Sequence, residues 1–255
     1  MLSLIQLSIF LSTLANLSLS ANAKSVFITN NCPYTVWPVI SNTNIGGGYT
    51  GPTGWEAPPG HFHSAEIPSI WNGRIWARRG CSFDANGQGK CIAADCAGRG
   101  LECGEQIMGD GNLAEMNLND KGQGTDWYNL SNVLGFVVPM SIVPGDSNCE
   151  TITCTTDMNP TCPDDRMKVK DGDETIGCLS ACKANINGGD NSQNCCSGSF
   201  ETHAACRPEM VDFYDFFKQS CPKVYAYPRD DATDLPNKVV YTCPSGVPWY
   251  RVTFC

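Results

Sequence analysis

Several things are missing from this sequence, and each absence removes a class of function. No Cys-x-x-Cys pair occurs among the sixteen cysteines, and the three histidines (His61, His63, His203) show no Cys…His ligand spacing. The spacing therefore excludes a zinc site and, with it, a metal cofactor held by thiolates. No basic run interrupts a net charge of −9, so the chain gains nothing from a phosphate backbone, and no nucleic-acid partner is expected. Beyond residue 23 no apolar segment reaches the length of a membrane span, and no stable membrane anchor is expected. Ser, His and Asp are all present, yet no Gly-x-Ser-x-Gly elbow precedes a helix. Internal repeats and low-complexity tracts are absent as well.

What is present begins with residues 1–23. They are rich in Leu, Ile, Phe, Ser and Thr, contain no Asp, Glu, Lys or Arg, and end in the small-x-small pattern Ala21-Asn22-Ala23. This reads as a secretory signal peptide with Lys24 as the first mature residue; a signal anchor is the alternative. Secretion places the cysteines in an oxidising compartment, where an even number points to a disulfide framework. A free catalytic cysteine would leave an odd count. The vicinal Cys195 and Cys196 each need a separate, distant partner.

Gly (25 residues) and Pro (16 residues) are frequent, and short alternating runs lie between turn residues. The runs 25–32, 34–40, 73–81, 113–118, 135–140, 238–243 and 250–255 read as half-buried strands. Within 73–79, Arg74, Trp76 and Arg78 share one face and Ile75 and Ala77 the other. Turns follow from Gly46-Gly47-Gly48, Pro58-Pro59-Gly60, Asn86-Gly87 and Pro144-Gly145. The expected class is all-β, a sandwich or barrel. The stretch 149–221 differs, with nine cysteines and one helical pattern. That pattern opens near Pro208, sets Met210, Phe213, Tyr214 and Phe217 on one core-facing stripe, and stops at Cys221-Pro222.

The run GQGKCIAADC (87–96), followed by Gly98 and Cys103, resembles the signature of the thaumatin-like family, which usually has Thr at the position of Ala93. NNCPYTVWP (30–38), LAE (113–115), GFVVPM (135–140), Cys195-Cys196, FFKQSCP (216–222) and YRVTFC (250–255) match as well. The resemblance covers nearly the whole mature chain and all sixteen cysteines. It implies the pairs Cys32–Cys255, Cys81–Cys91, Cys96–Cys103, Cys149–Cys243, Cys154–Cys221, Cys162–Cys178, Cys182–Cys195 and Cys196–Cys206. It also implies a flattened β-sandwich body (24–153 and 222–255) with a small disulfide-looped region (79–110). A disulfide-rich lobe (154–221) carries the helix, and a cleft lies between body and lobe. The expected protein is a secreted monomer of the extracellular space or cell wall.

Family members active on β-1,3-glucan carry one Arg, one Glu and three Asp in that cleft. The matching positions here are Arg74, Glu115 and one of Asp230 and Asp231, with Asp231 preferred. At the other two positions this chain has Asn129 and Leu134. Two carboxyl groups, one of them protonated, are the usual requirement for cutting a glycosidic bond. Glu115 is the candidate acid, with Asp231 or Asp126 as second carboxylate, although on a strand Asp126 and Asn129 point to opposite faces. Arg74, Asn129 and Asp230 are candidate substrate-binding residues. The resemblance thus implies weak endo-hydrolysis of β-1,3-glucan; non-catalytic glucan binding in antifungal defence is the alternative. No cofactor is implied.

Asn129-Leu130-Ser131 is also an N-glycosylation sequon, expected to be unused if Asn129 sits within a strand. His61 and His63 could ligate a metal, but without a third ligand they read as surface histidines. Trp55, Trp71, Trp76 and Trp127 could stack on sugar rings or fill the core.

Overall fold

The computed structural model describes residues 23–43, 48–119, 122–232 and 238–255. Of the expected signal peptide (1–23), residues 1–22 lie outside these residues, as do Gly46 and Gly47. Strands form where side chains alternate. In Lys24–Asn30 (β1) every second residue is buried, as the 25–32 run predicts. There follow Trp37–Asn42 (β2), Phe62–Ile67 (β3), Trp71–Phe83 (β4), Gly89–Ala93 (β5), Leu113–Leu118 (β6) and Thr125–Ser131 (β7). Gly135–Phe136 (β8), Met140–Pro144 (β9), Ile152–Cys154 (β10), Lys168–Asp171 (β11) and Glu174–Leu179 (β12) precede the helix Tyr214–Ser220 (α1). Tyr241–Pro244 (β13) and Trp249–Phe254 (β14) come last.

One sheet has the order β10-β9-β14-β1-β3 and a second β13-β7-β6-β4-β2, with β5 paired to the far end of β4. A third, smaller sheet runs β11-β12-β8. Neighbours are antiparallel except β1 and β14, which run parallel. The two larger sheets bury one core, with Val26, Ile28, Ile142 and Val252 from one and Ile75, Ala114, Met116 and Tyr128 from the other. The fold is all-β, as expected.

All eight disulfides join the pairs that the family resemblance implies. Cys32–Cys255 closes the outer ring of the chain. Cys81–Cys91 clips the β4–β5 hairpin and Cys96–Cys103 a short loop beyond it.

Two segments depart from their sequence pattern. The run 135–140 is not one strand: Gly135–Phe136 pairs with β12, and Met140 already belongs to β9 in another sheet. Gly135 permits the crossing, because at φ +133° a Cβ would stand 2.5 Å from the Cys178 carbonyl oxygen. The helix is also shorter than its pattern. Pro208–Met210 forms only a 3₁₀ turn, and α1 starts at Tyr214 after a left-handed Phe213. Asp212 explains the break. Its carboxylate accepts from Asn187 Nδ2 (3.0 Å) and Asn194 Nδ2 (3.1 Å), and its backbone N–H donates to Asn194 Oδ1 at 2.8 Å. These bonds hold the segment against a neighbouring loop rather than in a helical turn. Of the expected stripe only Phe217 is fully buried.

Burial of charge marks two structural centres. Arg78 is fully buried, and its guanidinium donates to the carbonyls of Trp37, Gly100 and Leu101, tying the 96–103 loop to β2. Burial lowers its pKa to about 10, against the pull of Asp95 and Glu102. Lys24 pairs with the fully buried Asp126, whose Oδ2 also accepts from the Tyr250 hydroxyl at 2.8 Å. The other oxygen accepts from the Asn119 backbone N–H at 2.8 Å.

Candidate functional site

β4, β6 and β7 are adjacent, and their register aligns Arg74 with Glu115 and Glu115 with Asn129. Paired residues project to the same face, here the face of the sheet turned away from the core. The three side chains interlock. Arg74 Nε donates to Glu115 Oε1 at 2.9 Å, and Asn129 Nδ2 donates to Glu115 Oε2 at 3.1 Å. Arg74 and Glu115 remain partly open to solvent. One row along, Asn72, Asn117 and Trp127 are aligned in the same way. Together these six residues line a shallow pocket of about 190 Å³.

A second arm comes from the segment after Cys221. Tyr225 takes over the edge of β7 where β13 ends: its N–H donates to the Leu130 carbonyl at 3.1 Å, and its carbonyl accepts from Asn132 N–H at 2.8 Å. Tyr225 is bridged to Ser131. Its phenol lies within the field of both Asp231 and Glu115. Burial first, then the negative charges of Asp231 and Glu115, hold that phenol well above the usual tyrosine range. Asp231 Oδ1 also lies 3.2 Å from His203 Nε2, at the exposed end of this chain of contacts.

The structure therefore brings together Arg74, Glu115, Asn129 and, through Tyr225, Asp231. It does not bring Asp126 to this face. β7 turns that side chain into the core, onto Lys24 and Tyr250, so Asp126 is no second carboxylate for the pocket. Asp230 is likewise removed from any substrate contact. It is fully buried, and its Oδ2 accepts from Lys218 Nζ and the Ala226 N–H, both at 2.8 Å. Leu134 packs against the core. Asn129 lies inside a strand paired on both sides, with its amide nitrogen already engaged by Glu115.

Trp71 and Trp76 belong to the core, and Trp55 stacks on His63 with ring centroids 4.2 Å apart. Burial, then the neighbouring His61, lowers the His63 pKa. Of Trp55, Trp71, Trp76 and Trp127, only Trp127 is exposed, at 45 %. Tyr225 and His203 were not among the residues singled out from the sequence. Tyr225 could have been suspected from its place in the short loop that carries Asp230 and Asp231. His203 carries no such signal, since only the fold sets it beside Asp231.

Chemically the pocket is a polar plate. Both oxygens of Glu115 act as acceptors; among the described residues, Arg74 keeps N–H groups on its outer nitrogens and Asn129 its carbonyl oxygen for further hydrogen bonds. Such a set exchanges hydrogen bonds with several hydroxyl groups at once.

Comparison with known proteins agrees with the architecture. The sequence model of the Thaumatin family matches residues 30–255. "Pathogenesis-related protein 5" of Arabidopsis thaliana is 37% identical over 231 residues, covering 89% of this chain and 88% of its own. "Glucan endo-1,3-beta-glucosidase" of Prunus avium is 36% identical over 238 residues, covering 92% of this chain and 91% of its own. Among solved structures, a laminaripentaose-producing β-1,3-glucanase in complex with laminaritetraose superposes with a TM-score of 0.53. That match covers 91% of this chain and 98% of the other at 11% identity, a likeness of fold.

Proposed function

Because the chain belongs to the thaumatin family, we propose that it is a secreted protein that binds β-1,3-glucan of cell walls on the Arg74–Glu115–Asn129 face. The observation that carries this reading is the engagement of Glu115. Each of its oxygens accepts a hydrogen bond from a neighbouring strand. A carboxylate held in this way is a good acceptor for sugar hydroxyls and a poor proton donor to a glycosidic oxygen. The amide at Asn129 and the apolar Leu134 weaken a hydrolytic site more than a binding site, since amides pair with hydroxyls well.

A second reading is weak endo-hydrolysis, with Glu115 as acid and Asp231 as the partner carboxylate. The relative named glucan endo-1,3-beta-glucosidase favours it. One experiment separates the two. The mature protein is incubated with soluble β-1,3-glucan to count new reducing ends, and with insoluble β-1,3-glucan to measure co-sedimentation, beside Glu115→Gln. Binding without new reducing ends, weakened in the variant, is the expected outcome. Reducing ends that disappear in Glu115→Gln would establish the hydrolytic reading. Neither binding nor cleavage would remove glucan as the ligand.

A further inference from the structure

Trp127, Asn129 and Ser131 project from the same face of β7, each two residues, or roughly 7 Å, from the next. They become steadily less exposed along the strand, from open Trp127 through half-buried Asn129 to buried Ser131. Each is the centre of a different chemical environment. Trp127 presents an indole ring that makes no ring contact and donates no hydrogen bond among the described residues, with the Asn117 amide at its side. Asn129 stands in the Arg74–Glu115 hydrogen-bonding row. Ser131 is bridged to Tyr225, whose phenol lies within the field of Asp231.

An exposed tryptophan in mid-strand, flanked by polar amides, suits one face of a pyranose ring. From this alignment we infer that the strand forms a linear three-station track for an unbranched glucan. One sugar stacks on Trp127, the next exchanges hydrogen bonds with Arg74, Glu115 and Asn129, and a third meets Tyr225 and Asp231. The inference rests on the glucan-binding reading and adds to it the direction of the chain, parallel to β7, and the number of units recognised.

The test is titration of the mature protein with β-1,3-linked gluco-oligosaccharides of two, three and four units. Calorimetry gives the affinity and tryptophan fluorescence a second signal. Wild-type affinity should rise about tenfold from two units to three and change little from three to four. Trp127→Ala, a change at an exposed position, should lower three-unit affinity about tenfold, to the two-unit level, and abolish the fluorescence change. Its thermal melt should match wild type. If Trp127→Ala binds every length as wild type does, or loses the same factor at every length, the track is overturned. Weaker binding by Glu115→Gln in that same series would leave the glucan-binding reading standing. No binding of any oligosaccharide by the wild type would overturn both.

Discussion

Single residues in this protein divide sharply into charges that hold the fold and charges that face solvent, and adjacent positions often fall on opposite sides of that division. Asp230 is buried against Lys218, while Asp231 is exposed beside His203. Asp126 lies inside, three residues before Asn129 on the outer face. The Lys24–Asp126–Tyr250 centre has a direct consequence for stability. Asp126→Asn strands the Lys24 ammonium in the core without its anion, and should cost about 3–5 kcal/mol. Denaturant melts read this loss. Adding Lys24→Met to the same variant should recover part of it, since the remaining charge is then removed.

At the scale of elements, six of the fourteen described strands follow the alternating runs of the sequence, and the two largest departures have identifiable causes. LAEMNL (113–118) became β6 with the boundaries its alternation predicts, because it pairs on both sides and packs on one. Arg74 and Glu115 were legible as site residues for the same reason: their faces follow from period two alone. In the run 135–140, continuous apolarity does not show where the chain leaves one sheet for another. The helical stripe was misread because Asn187 and Asn194, distant in sequence, bind Asp212. Nor does any local pattern place Tyr225 beside β7; that contact is tertiary, in a segment anchored by Cys154–Cys221. The break before α1 yields its own prediction. Asp212→Ala should cost about 1–2 kcal/mol. Amide hydrogen exchange should quicken in 186–194 and 211–214 while β6 and β7 stay protected.

For the molecule as a whole, buried tyrosines set the alkaline limit of stability. Tyr34, Tyr49, Tyr128, Tyr225, Tyr227, Tyr241 and Tyr250 are all raised above the ordinary phenol value of 10.0, chiefly by burial. Tyr128 and Tyr241 reach about 12. The folded state thus keeps these phenols neutral where the unfolded chain has begun to ionise. Their contribution is fully present below pH 10 and is lost as pH rises from there through about 12. Phenolate absorbance should therefore appear together with loss of structure in one cooperative step, and a stepwise titration of native protein would contradict this.

The bond between Cys32 and Cys255 turns residues 32–255 into a covalent ring, inside which the other bonds draw smaller rings. In such a network a single cut releases nothing. A protease that opens one exposed loop leaves every piece attached, so the molecule can be nicked and still keep its mass. Only a second cut within the same ring can free a fragment. Resistance of this kind depends on how the chain is connected and would persist even where a loop is readily cleaved.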